Sequence, residues 1–121
     1  MPLTPQQRDA LDELERIEAA IDAATDKLYD ETRAAVANGD LARADALADE
    51  EIRLLRALMR VQQAILAIRR GASLTPAISR FDELRKRAER VKRNLVGFAN
   101  VLDGARELIE IARTIGRIVA L

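Results

Sequence analysis

The sequence predicts an all-α protein, an up-down-up three-helix bundle whose third helix outruns the other two. Three observations carry that expectation. Apolar residues recur at alternating three- and four-residue spacings along almost the whole chain, the mark of helices packed on one face. The breaks fall at Asn38-Gly39 and between Gly71 and Pro76, and nowhere is there the strict alternation of a half-buried strand. Aromatic residues make up only 2% of the chain, so the core must come from Leu, Ile, Val and Ala, a composition that suits closely packed helices.

Helix 1 is expected over about residues 5–37. Thr4, Pro5 and Gln7 make a start signal: a hydroxyl to cap free amides, a proline at the first helical position, and a glutamine spaced to reach back to the cap. Leu14, Ile17, Ile21, Ala24 and Leu28 form one apolar stripe, with Asp9, Asp12, Glu13, Glu15, Asp22 and Asp26 mostly off it. Asn38 and Gly39 end the helix, since both accept a left-handed backbone.

Helix 2 is expected over about 41–70, with Asp40 as its cap. Leu47, Leu54, Val61 and Ile68 recur every seven residues, and a second row, Ile52, Met59 and Leu66, stands beside them. With Ala48 and Leu55 these rows make an apolar arc of roughly 160°, wider than the stripe of about 100° on a one-sided helix. Burial on two sides is the expectation. Acidic residues lead and arginines trail along this helix, an order that suits its macrodipole.

Helix 3, capped by Ser73 or Thr75, is expected over about 76–120. Leu74, Ala77, Phe81, Leu84, Ala88, Val91, Leu95, Phe98, Leu102, Ala105, Ile109, Ala112, Gly116 and Val119 keep one heptad register through Gly97 and Gly104. One continuous helix would be roughly 65 to 70 Å long at about 1.5 Å per residue. The alternative is four helices, with a turn near Asp103-Gly104 folding the last segment back. A continuous helix implies that Gly104→Ala keeps or raises thermal stability.

The chain of 121 residues, 49% hydrophobic and 33% charged, fits a single domain spanning 1–121. Its zero net charge hides a division: residues 1–51 hold 14 acidic and 5 basic residues, and residues 52–121 hold 6 and 15. In the expected bundle, acidic helix 1 lies beside the basic first part of helix 3, and the two excesses neutralise one another within the fold or across a dimer.

Chemistry is constrained by what the sequence lacks. Without His or Cys there is no imidazole base, thiol nucleophile or His- or Cys-based metal site, which leaves carboxylates and Lys for acid-base work. Acidic pairs at Glu15/Glu18, Asp45/Asp49 and Glu107/Glu110 have the spacing of a solvated helix face. No catalytic, cofactor-binding or metal-binding residue is therefore assigned, and the chain is read as a non-enzyme. The opening residues lack the pattern of a secretory signal, and no apolar run is long enough for a membrane span, so a soluble, cytoplasmic protein without membrane partners is expected.

The function expected from the sequence is that of a helical interaction protein that binds itself, most simply as a homodimer, and a protein partner, in the manner of an adaptor, chaperone, immunity or assembly component. A third helix longer than its hairpin leaves an apolar overhang, and the expected dimer interface is Leu108, Ile109, Ile111, Ile115, Ile118 and Val119. The competing reading is a polyanion-binding surface for nucleic acid at residues 80–93, formed by Arg85, Lys86, Arg90 and Arg93. It is not favoured, because Asp82, Glu83 and Glu89 are interspersed and stacking aromatics are lacking. A small all-α enzyme ranks third.

Overall fold

The computed structural model describes residues 3–72 and 78–119. Among these there are four helices and no strand: α1 (Pro5–Ala37), α2 (Leu41–Arg69), α3 (Ile78–Arg93) and α4 (Phe98–Ile118). The expected caps Ser73 and Thr75 lie outside the described residues, as does the end of the expected third helix at residue 120.

The first two helices follow local signals closely. Thr4 Oγ1 accepts from the Gln7 amide at 3.1 Å, and Gln7 Oε1 accepts from the Thr4 amide at 2.9 Å, a reciprocal capping box with Pro5 in the first turn. At the far end the Asp40 amide reaches back to the Ala35 carbonyl at 2.9 Å. Asp40 Oδ1 then accepts from the Arg43 amide at 3.1 Å and starts α2 at once. This tight turn makes α1 and α2 an antiparallel hairpin.

The continuous third helix does not form; the four-helix alternative fits, but with its turn elsewhere. The chain leaves α3 at Arg93, crosses Asn94 to Gly97, and re-enters a helix at Phe98. Gly97 has φ 83° and ψ 158°, a backbone region that side chains with a Cβ scarcely populate. Its carbonyl takes the first α4 hydrogen bond, from the Val101 amide at 3.0 Å, and the Asn100 side-chain amide donates to the Val96 carbonyl at 2.9 Å. The heptad register does not carry through the turn: α4 buries Val101, Leu108, Ile111 and Ile115, whereas the register residues Leu102, Ile109, Gly116 and Val119 are only half-buried. A register written for one continuous helix is blind to a reversal that rotates the following helix about its axis.

Gly104 lies inside α4, at a close approach to α3. A Cβ there would stand 2.8 Å from Val91 Cγ1 and 3.1 Å from Leu95 Cδ2. The expectation that Gly104→Ala keeps or raises stability is thereby reversed: the glycine is needed for space, although its backbone is ordinary helix.

Around the bundle α1 packs on α2, α3 and α4, and α4 packs on all three others, whereas the described residues of α2 and α3 do not meet. The α1–α4 contact is thus the bundle's central diagonal. The ion pairs Glu13–Arg85 and Arg16–Glu89 show α1 and α3 running in the same sense, as expected. The fully buried core draws Leu14, Ile17, Ile21 and Leu28 from α1, Leu47, Leu54, Val61 and Ile68 from α2, Phe81 from α3, and Leu108, Ile111 and Ile115 from α4.

Candidate interaction surface

The six residues expected at a dimer interface are taken up by the bundle itself. Leu108, Ile111 and Ile115 are fully buried in the intramolecular core, and Ile109, Ile118 and Val119 are half-buried against it. Their burial has one cause. Because α4 folds back along α2 and α3, the overhang that would have needed a second chain does not exist.

The basic segment is likewise mostly spoken for. Arg85, with a side chain only 16% exposed, donates to Asp82 at 2.7 Å, to Glu89 at 3.0 Å, and across the helix boundary to Glu13 of α1. The hydrogen bonds it donates to Asp82 and Glu13 push its already high pKa further up, and those that Asp82 accepts from Arg85 and Lys86 hold the Asp82 carboxyl below the usual range. Lys86 Nζ lies 3.0 Å from Asp82. Arg90 lines a cavity of about 500 Å³ between α3 and α4, in which Arg87 is bonded to Glu107 and Asp103 stands nearby. Arg93 is exposed at the end of α3. Of the four residues proposed for polyanion binding, two therefore neutralise carboxylates, and Arg90 shares its groove with two acids.

Two charged features went unread in the sequence. Glu50 lies on the inner arc of α2 between Leu47 and Leu54, and its side chain is 7% exposed. Its Oε1 accepts from Arg53 Nη1 at 3.0 Å and from Arg106 Nε at 3.3 Å, which pins α2 to α4, while Oε2 is buried without a partner. Next to this pin Arg53, Arg56 and Arg60 of α2 and Arg113 of α4 line a groove of about 220 Å³, with Ala57 and Ile109 as its floor. The three-and-four spacing of the α2 arginines was the available signal. Its meaning depended on α4 lying alongside.

The surface that stands out is the outer face of α2. Ile52 is 52% exposed, Leu55 43%, Met59 58% and Leu66 48%, and half-buried Ala48 falls on the same row. The expectation that α2 is buried on two sides is met on one only: the row opposite the core has no cover from the described residues of this chain. Asp45 and Gln62 occupy the remaining positions of this row and are exposed, whereas Glu50, the polar member of the core face, is buried and held by Arg53 and Arg106. Both faces of α2 thus carry a polar residue at helical spacing, and the sequence does not separate the external seam from the internal one.

Between α1 and the end of this row a cavity of about 530 Å³ is lined by Glu15, Glu18, Gln62, Ile65, Leu66 and Arg69. Among the described residues no three carboxylates converge on a point that would hold a metal ion, and no helix is long and apolar enough to cross a membrane. No known family model, curated protein or solved structure matches this chain.

Proposed function

We propose that this chain is a non-enzymatic helical interaction protein, a cytoplasmic adaptor, chaperone, immunity or assembly component that works by pressing the outer face of α2 against another protein surface. The observation that carries this reading is the row Ile52, Leu55, Met59 and Leu66, four large aliphatic side chains about half exposed along one face of one helix. Scattered apolar residues on a surface need no explanation, but an aligned set does. Helix-in-groove and helix-on-helix recognition read such a row as a line of anchors. The row lies on the side of α2 opposite its buried stripe, so engaging it requires no opening of the bundle.

The test compares the intact chain with Ile52→Glu/Met59→Glu, two substitutions at exposed positions that leave the core untouched. Tagged forms of both are used for capture from the native host, and their helicity is matched by circular dichroism. Protein held by the wild type and lost by the variant, untagged copies of this chain included, supports the reading; identical capture by both, or none by either, removes it. Polyanion binding through Arg85, Lys86, Arg90 and Arg93 has its own check: the reading falls if DNA or RNA is not shifted at roughly 50 mM salt, where phosphate binding is favoured.

A further inference from the structure

We infer that the surface that covers α2 is the α2 of a second copy, laid antiparallel across it; this rests on the interaction reading above and names the occupant. The exposed row is self-complementary when one copy is reversed. With Ile52 set opposite Leu55 of the other chain, Ala48 falls opposite Met59 and Leu41 opposite Leu66, so that every exposed apolar residue of the face finds an apolar neighbour. The two symmetry-related polar layers each pair Asp45 of one chain with Gln62 of the other, an acceptor with an amide donor.

Charge selects the same arrangement. In that register Asp49 of each chain flanks the seam near Arg56 of the other, and neither residue has an ion-pair partner within its own chain among the described residues. The twofold axis makes this contact twice. A parallel, in-register pair would instead stack Asp45 on Asp45, and it would set the two helix dipoles side by side in the same sense.

The size of the contact sets its strength. α2 has 29 residues, or about 43 Å, and a helix contact is about 10 Å wide, so each chain contributes roughly 430 Å². The total, about 850 Å², lies below the roughly 1,200 Å² of stable specific interfaces, in the range of weak, transient complexes. The dimer population is therefore expected to rise between about 10 and 500 μM.

Sedimentation equilibrium of the purified chain over that range tests the association, and orientation is read by disulfide trapping, which the absence of native cysteine makes clean. Leu41→Cys and Leu66→Cys proteins are oxidised separately and as a mixture. The antiparallel pair gives a crosslink in the mixture, joining position 41 of one chain to position 66 of the other, and none in either protein alone, because like positions lie about 37 Å apart along the seam. Single reversals Asp49→Arg and Arg56→Asp should each weaken the dimer about five- to tenfold, and the double reversal should restore it. A chain that stays monomeric to 500 μM, or crosslinks between like positions, overturns the proposal. Capture of a different protein dependent on Ile52 and Met59, alongside a monomer, overturns the dimer while leaving the interaction reading in place.

Discussion

Two apolar surfaces in this chain look alike on paper and differ in fate. The row on α4, Leu108, Ile111 and Ile115, and the outer row on α2, Ile52, Leu55, Met59 and Leu66, are both built from aliphatic residues at helical spacing. The first is wholly buried inside the bundle and the second is about half exposed. Hydrophobicity therefore did not decide which one was left for a partner. The return of the chain at Asn94–Gly97 did, by carrying α4 onto α2 and α3 and filling their inner side. The polar members of the outer row, Asp45 and Gln62, would be costly in a core and are tolerable at a seam that is dry only part of the time.

Truncating one residue on each surface separates the two rows most strongly. Ile111→Ala should cost about 2–5 kcal/mol in urea unfolding, as a large side chain is removed from a filled core. Leu55→Ala, measured at a few micromolar protein, should stay within about 0.5 kcal/mol. Equal losses would mean that the two rows are equally buried in the isolated chain, and the surface assignment would fail.

The turn and the helix that follows it can be tested at Gly97, Gly104 and Gly116. Gly97→Ala should lose about 1–3 kcal/mol, because alanine must adopt a backbone region that is essentially reserved for glycine. Gly104→Ala gains helix propensity but must displace Val91 Cγ1, a branched side chain with little freedom, and a net loss of about 1–2 kcal/mol is expected. Gly116 sits in the same helix with open space where a Cβ would go, so Gly116→Ala should add about 0.5–1 kcal/mol. Thermal unfolding of the three variants orders them. A stabilised Gly104→Ala would show that α3 and α4 do not approach as described.

The smallest effect lies within α3, where Asp82 meets Arg85 and Lys86 one turn on. Arg85 and then Lys86 hold the Asp82 carboxyl below its ordinary pKa, so its contribution to stability is present above about pH 4 and is lost as pH falls through the lowered value. Asp82→Asn lacks that titrating group, and its melting temperature should decline less steeply than that of the wild type between about pH 4 and 2. Parallel profiles would mean that Asp82 is not engaged in solution.

Much of this fold was legible because its causes are local. The Thr4–Gln7 box, the Asp40 cap and the Asn38-Gly39 stop each act within one helical turn, and the ends of α1 and α2 fall where those residues predict. The pairing of acidic α1 with basic α3 was also legible, since it follows from opposite charge on neighbouring helices.

What the sequence alone determined is the helical character of the chain, the apolar stripe of α1, the core row of α2 and the first hairpin, because periodicity and capping are properties of residues a few positions apart. Only the tertiary structure decided where the third helix breaks, that Gly104 makes room for Val91, that Glu50 joins Arg106, and which apolar row stays open. Each of those depends on what lies across a contact between residues distant in the chain. A helical pattern specifies that a face will be buried, but the partner that buries it is set by the packing of the whole bundle.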